Sequence, residues 1–254
     1  MTSPIRILDT GLKPARWNVA MTAALCRRHA DGAAPETIRF HRYPACVLLG
    51  RSQDPADAVD LDYCEKGGIE IVHRVTGGGA VYMSPRMLAW DVVLDRGSLA
   101  SDLHTATRRI CEGVAAGLSL LGCAARFRPA NDIEVGGLKV SGSSGYAEGR
   151  SLALQGTILI EDEVPDMASA LGIPEAVLRS EVTCVAAALG APPPQMHLQL
   201  LVVHGLMEAL DRTPHYQAVD EGDLASLDAF LRDRAGSGAD AAATEKVRVT
   251  GSSA

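Results

Sequence analysis

Residues 123–160 read CAARFRPANDIEVGGLKVSGSSGYAEGRSLALQGTILI, and this stretch decides the fold. Four short runs, CAARFRP, NDIEV, LKVSGSSGY and SLALQGTILI, are separated by turn residues, the pattern of a β meander. Gly136-Gly137 reads as a two-residue hairpin turn flanked by apolar alternation. That turn sets a register with Val135 opposite Leu138, Glu134 opposite Lys139, Ile133 opposite Val140 and Asp132 opposite Ser141. Alternation then gathers Asp132, Glu134, Lys139 and Ser141 on one face, and Ile133, Val135, Leu138 and Val140 on the other. The plain reading is a cross-strand Glu134–Lys139 pair on a solvated face. The functional reading points Lys139 into a site that holds an anion. Asn131 and Asp132 then stand at the strand's start, where a nucleotide or a metal can bind.

Outward from the meander, the chain alternates strands and helices. PIRILD (4–9) alternates as a strand, and PARWNVAMTAALCRR (14–28) reads as a helix with Pro near its start. Residues 36–49 read as two strands broken around Pro44. A helix opens at Asp60 and stops at Gly67-Gly68, and Ile69–Arg74 and LAWDVVLD (88–95) are strands. Residues 101–121, 165–171, 174–190, 195–211 and 220–233 read as helices. The architecture that follows is α/β, with a mixed, largely antiparallel sheet and flanking helices. Residues 1–195 are expected to form the catalytic α/β domain, 196–233 a helical extension packed on it, and 234–254 a flexible tail.

Composition narrows the function classes. The chain has 254 residues, 47% of them apolar, and a formal net charge of −7. That apolar fraction excludes wholesale disorder. The acidic balance argues against nucleic acid as the main partner. No apolar run reaches the length of a membrane span, and MTSPIRILDTG lacks a signal-peptide pattern, so a cytoplasmic protein is expected. Six cysteines, at 26, 46, 64, 111, 123 and 184, fit no metal-binding spacing and read as small buried hydrophobes. Only four lysines stand against 20 arginines, and Lys139 sits in an apolar, Gly-rich setting.

A second motif is HRVTGGGAVY (73–82). Three consecutive glycines directly after a strand do not serve strand formation; they allow close approach of a ligand and an anion-binding nest. Arg74 precedes them, where a guanidinium can grip a carboxylate or phosphate. The run is neither a P-loop nor GxGxxG. A third feature is LALQGTILIED (152–162), where a central Gly in a strand signals close backbone approach or a bulge. Nothing resembles a Ser-His-Asp set, a paired-carboxylate site or a metal cluster. The donors present suit carboxylate activation by a nucleotide.

In order and content these motifs resemble the lipoate-protein ligase A family, within the biotin/lipoate ligases and lipoyl/octanoyl transferases. The matching stretches are RWNVAMTAAL (16–25), VLLGRSQDP (47–55), IVHRVTGGGAVY (71–82), NDIEVGGLKVSGS (131–143), LQGTILIEDE (154–163) and LRSEVTCVAAALG (178–190). The resemblance implies the fold of the biotin/lipoate ligase catalytic domain. It also implies activation of lipoate, or a related medium-chain acyl substrate, with Mg-ATP to an adenylate, and transfer to a lysine of a lipoyl-acceptor domain. Carried onto this chain, Arg74, Gly77, Gly78, Gly79, Ala80 and Val81 line the lipoate and adenylate pocket. Asn131 and Asp132 contact the nucleotide and its Mg2+; Ser141, Gly142, Gly156 and Thr157 complete the binding set, and Lys139 is catalytic. Val47, Leu49 and Val81 are expected to form the apolar slot for the acyl tail.

The chain departs from the family pattern at Met83 and Gln155, where the family usually has histidines, and in the early run Asn18-Val19-Ala20-Met21-Thr22. Larger ligases carry an extra C-terminal domain, so a separate small accessory protein is a candidate partner. Two other readings stand beside the ligase. One is a lipoyl or octanoyl transferase using a cysteine thioester, with Cys184 as nucleophile and Cys123 second. The other is a non-catalytic module that binds a lipoyl group or carrier domain. Arg108, Arg109, Arg126 and Arg128 are candidates for a basic rim facing an acidic acceptor domain.

Overall fold

A computed structural model describes residues 3–99 and 102–237. The chain opens with β1 (Ser3–Leu12), α1 (Ala15–Ala30), β2 (Thr37–Arg42) and β3 (Cys46–Leu49). Two short helices, α2 (Pro55–Ala58) and α3 (Leu61–Lys66), lead to β4 (Glu70–His73), β5 (Val81–Met83) and β6 (Met87–Asp95). Asp54 and Asp60 cap these helices by accepting from the amides of Ala56 and Tyr63. After α4 (Arg96–Leu99) and α5 (Leu103–Leu120) comes the meander β7 (Ala125–Arg128), β8 (Asp132–Val135), β9 (Leu138–Glu148) and β10 (Ser151–Leu159). The chain then runs through α6 (Val164–Leu171), α7 (Glu175–Glu181), α8 (Val185–Leu189), α9 (Gln195–Leu210), β11 (Arg212–Tyr216) and α10 (Glu221–Ser237).

Eight strands form one sheet in the order β11-β1-β2-β6-β10-β9-β8-β7, and β4-β3-β5 form a second, small sheet. In the large sheet β1 runs parallel to β2 and β11, and the other pairs are antiparallel. The sheet is mixed and largely antiparallel, as its turn-rich sequence implies.

Alternation splits each central strand between two cores. Ile38 and Phe40 of β2, with Leu88, Trp90 and Val92 of β6, pack against α5 and α9 through Ile110, Val114, Leu198 and Val202. The opposite face meets α1 and α10 through Leu8, Met21, Leu25, Val93 and Leu227. Further along that face, Met87 and Ala89 join a third core with the small sheet and α6.

Three expectations change. The segment 174–190 is two helices, because Val182–Cys184 turns extended and lies beside β9: Val182 bridges Lys139, and the Thr183 amide donates to the Lys139 carbonyl at 2.8 Å. β11 goes unread in the sequence because RTPHY has Pro214 at its centre and is mostly exposed, which an edge strand tolerates. Of the tail expected from 234, the stretch to Ser237 belongs to α10; residues 238–254 lie outside the described residues. Among the described residues no helix is long and apolar enough to cross a membrane, and all six cysteines are buried and unpaired.

Two close approaches explain otherwise costly glycines. A Cβ on Gly156 would lie 2.2 Å from Cζ2 of Trp90, so the central glycine of β10 makes room for the indole. Where α5 crosses α9, a Cβ on Gly205 would lie 2.2 Å from the Gly113 carbonyl oxygen. Replacing Gly205 by Ala forces two backbones apart and is expected to cost about 1–3 kcal/mol. Chemical denaturation of Gly205→Ala beside Gly172→Ala checks this. The cost should appear for Gly205, whereas Gly172, where nothing stands near the added Cβ, should show only the smaller strain of its positive φ.

Candidate functional site

Gly136 and Gly137 both have positive φ, 61° and 87°, the geometry of a tight primed hairpin turn. From it the register starts as the sequence implies, Val135 opposite Leu138 and Glu134 opposite Lys139. It then slips. Ile133 faces Ser141, and Asp132 faces Gly142, with Val140 the extra residue of a bulge. The slip exchanges two residues. Ser141 turns away from the site face, is 1% exposed and has its hydroxyl unpartnered. Gly142 takes the place expected for Ser141. A Cβ there would lie 2.6 Å from Cε and 2.7 Å from Nζ of Lys139, so only glycine leaves room for the lysine head.

Lys139 does not pair with Glu134. Its Nζ lies 2.8 Å from Oδ1 of Asp132. Glu134 is held by Arg126 and Arg128, and Arg128 also donates to Oδ2 of Asp132 at 2.9 Å. Asn131 is tied across to β9, its amide donating to the Ser143 carbonyl and its carbonyl accepting from the Ser143 hydroxyl at 2.9 Å.

Lys139, Asn131 and Gly142 line a cavity of about 590 Å³ together with Gly77, Gly78, Gly79, Ala80, Val81, Gly156 and Thr157. The size suits a small-molecule ligand. Of the apolar slot expected from β3, Leu48 lines it, while Val47 and Leu49 point into the core of the small sheet; the alternation is one residue out of phase with the expectation. Leu159, Met167, Leu171, Ile173 and Leu178 supply further apolar wall. Met83 and Gln155 both face this cavity.

Arg74 also lines the cavity, but its guanidinium is largely committed. It donates to the Leu48 carbonyl at 2.8 Å, Gly77 at 2.7 Å, Gly79 at 2.8 Å and the Thr76 hydroxyl at 3.0 Å. Its first job is to shape the glycine turn, and burial lowers its pKa. The guanidinium that the sequence reading offered to an anion is thus occupied by the protein's own oxygens.

Cys184 does not line this cavity. It is 6% exposed and lines a separate hollow of about 290 Å³ with Glu163, Val164 and Arg179; Leu159 and Val182 form the shared wall. Cys123 lies in the α5–α9 core, and burial raises its pKa. Three of the four arginines proposed for a rim are paired with neighbouring carboxylates. Arg108 pairs with Glu112, Arg126 with Glu134 and Arg128 with Asp132, while Arg109 donates to the Ala209 carbonyl of α9.

The sequence reading missed the opposite end of the cavity. His41, Tyr43 and Asp91 line it. Asp91 forms a buried ion pair with Arg39 at 2.7 Å and accepts from the Thr22 hydroxyl at 3.0 Å. Full burial raises the Asp91 pKa, opposed by the attraction of Arg39. The available signal was RFHR in β2, where Arg39 and His41 alternate with buried Ile38 and Phe40 and so share the other face.

Residues 14–204 match the model of the lipoyl protein ligase A/B catalytic domain. The chain is 30% identical over 195 residues to octanoyltransferase LipM of Symbiobacterium thermophilum, covering 68% of this chain and 71% of that protein. It is 29% identical to lipoate-protein ligase A subunit 1 of Thermoplasma acidophilum, covering 66% of each. It is 27% identical to lipoate-protein ligase LplJ of Bacillus subtilis, covering 68% of this chain but 51% of that one. In fold it resembles a bi-partite lipoate protein ligase of Thermoplasma acidophilum solved with its E2 lipoyl domain, at TM-score 0.83 and 22% identity over 96% of this chain and 97% of that one. A lipoate-protein ligase A structure bound with ATP superposes at TM-score 0.80 and 24% identity, over 91% and 95% of the two chains. With its fold, its glycine turn and its hairpin lysine in place, the chain belongs to the lipoyl protein ligase A/B catalytic-domain family.

Proposed function

We propose that the protein activates lipoate, or a related medium-chain acid, with Mg-ATP to an acyl-adenylate and transfers the acyl group to a lysine of an acceptor protein domain. The observation that carries this reading is Lys139, paired with Asp132, on the wall of a cavity that no cysteine lines among the described residues. An ammonium paired with Asp132 beside small residues suits an oxygen-rich ligand better than thioester exchange.

In the first step a carboxylate oxygen of the acid attacks the α-phosphorus of ATP and pyrophosphate leaves. Lys139 turns from Asp132 to the carboxylate and α-phosphate oxygens, where its charge stabilises the negative charge that builds in the transition state. In the second step the acceptor's amine attacks the carbonyl carbon of the mixed anhydride and AMP leaves with the bond electrons. Arg74 keeps the glycine turn in shape, so that Gly77–Gly79 present backbone donors rather than a mobile loop. Asn131, Gly156, Thr157 and the loop around Ala80 and Val81 complete the binding surface in this proposal.

Magnesium fits the site in a limited way. Asp132 is a single carboxylate, and Mg2+ is commonly held by one or two carboxylates together with substrate phosphates. Both its oxygens are now on cations, so Asp132 would hold the ion only with nucleotide present, where the ion neutralises phosphate charge. Ser141 stays outside the binding surface. The proposal takes 1–195 as the catalytic unit, 196–233 as its packed extension and the cytoplasm as its location, consistent with six unpaired cysteines. A lipoyl-acceptor domain, and an accessory chain of the kind a bi-partite ligase uses, are the partners proposed.

The relative named octanoyltransferase supports a second reading, acyl transfer through a thioester on Cys184. It requires Cys184 to leave its hollow and cross the wall formed by Val182 and Leu159.

Intact-mass analysis of an acceptor domain separates the two. With Mg-ATP and free lipoate, a lipoyl mass gain is expected, and Lys139→Ala should slow it about 10²–10³-fold. A gain only from octanoyl-loaded carrier protein without ATP, lost in Cys184→Ser, would instead establish the transferase. Gly142→Ala is expected to push the lysine head aside and lower adenylate formation about 10²-fold. Pyrophosphate release checks this, with unchanged circular dichroism showing that the fold survives.

A further inference from the structure

The cavity floor is laid by register. One row across the large sheet pairs His41 with Ala89, Ala89 with Thr157, Thr157 with Gly142 and Gly142 with Asp132. The next row pairs Arg39 with Asp91, Asp91 with Gln155 and Gln155 with Ser144. Directly paired residues share a face, and so do residues two apart along a strand. Ser144 therefore stands on the same face of β9 as Gly142, against which the Lys139 head lies. Two residues of strand separate the two positions by about 7 Å.

The Ser144 hydroxyl ends a hydrogen-bond chain that starts at Arg74. Nε of Arg74 donates to Oγ1 of Thr76 at 3.0 Å, and that oxygen lies 2.9 Å from Oγ of Ser144. The first bond fixes the direction of the second. Thr76 is 1% exposed, and its hydroxyl meets only these two groups among the described residues. A guanidinium has no acceptor, so the Thr76 proton goes to Ser144. The reverse arrangement would leave a buried O–H without an acceptor, which is costly. Ser144 thus accepts from Thr76 and keeps its own proton free. Ser144 is half-buried, lines the cavity and makes no other hydrogen bond among the described residues. Each link polarises the next, so the charge of a buried arginine strengthens a donor at the cavity surface.

We infer that Ser144 is a catalytic donor to the carbonyl oxygen of the bound acid, and that Thr76 is its positioning residue. This rests on the adenylate reading proposed above. Donors about 7 Å apart suit a single carboxylate, each reaching one oxygen through a hydrogen bond of about 2.8 Å. Lys139 takes the oxygen that attacks the α-phosphorus, and Ser144 takes the other. In the transfer step the acceptor's amine lone pair forms the C–N bond, and the carbonyl π electrons move onto oxygen. The Ser144 O–H donates to that oxyanion without giving up its proton, stabilising the charge where it develops. The electrons then return, the C–O bond to phosphate breaks, AMP leaves and the amine proton passes to water.

Transfer from supplied lipoyl-adenylate to an acceptor domain, followed by intact mass, isolates this step from ATP chemistry. Ser144→Ala in the full chain should slow it about 10²–10³-fold. Thr76→Val should slow it about tenfold, and Thr76→Ser, which keeps the hydroxyl, should restore most of the rate. Because both groups act through one proton, adding Thr76→Val to Ser144→Ala should cost no more than about twofold further. Infrared spectra of bound lipoyl-adenylate carrying a 13C carbonyl supply a readout that a merely structural role would not move. The carbonyl stretch should rise in Ser144→Ala and, by less, in Thr76→Val. An unchanged transfer rate in Ser144→Ala would overturn the proposal and leave the adenylate reading in place. So would an unmoved stretch with the two substitutions fully additive. No transfer by the unaltered chain would overturn the adenylate reading, and this proposal with it.

Discussion

The bulge at Val140 is the constraint on which the site depends. An unbulged hairpin would place Ser141 beside Lys139 on the cavity face. The extra residue sends Ser141 to the core side with Ile133 and brings Gly142 opposite Asp132. The lysine head then occupies the space a side chain at 142 would fill, within 2.8 Å of Asp132. The extended break between α7 and α8 pins the same residue from the other side, through the Thr183 amide on the Lys139 carbonyl. A flexible side chain is thus carried on a backbone held by β8 on one side and by the extended break on the other.

Around that lysine the cations divide their work. Arg74 is buried and spends its donors on carbonyls of its own turn and of β3. Arg126 and Arg128 hold the carboxylates of β8. Lys139 carries a compact charge on a stem that can swing, which suits the proposed move from Asp132 to ligand oxygens. The division also explains why the acidic net charge of the chain says little about the site, since the relevant charges are paired locally.

The cavity has a polar group at each end and an apolar wall between. Its far end is built on the buried Arg39–Asp91 pair, whose partners Asn18 and Thr22 come from α1. A buried ion pair contributes little net stability against an apolar replacement, so it suggests a requirement for polarity at that place. Its position in the same register rows as Gln155 and Thr157 makes the large sheet a single ruler along which a ligand can lie.

The sequence by itself determined the sheet class, the hairpin at Gly136-Gly137, the glycine turn after β4, and the grouping of Lys139, Asn131 and Asp132 around that hairpin. These are local signals: period-two alternation, turn chemistry, and a lone lysine in a Gly-rich run. Tertiary structure decided what depends on distant neighbours. A bulge adds one residue without leaving a composition mark, so the fate of Ser141 and Gly142 was not readable. Gly156 answers to Trp90 across a strand pair, and Cys184 lies behind a wall that only the folded α7–α8 break creates. His41 and Asp91, 50 residues apart in sequence, reach one cavity because β2 and β6 pair. Strand pairing between remote segments is set by the burial of whole faces, which no single stretch of the chain encodes.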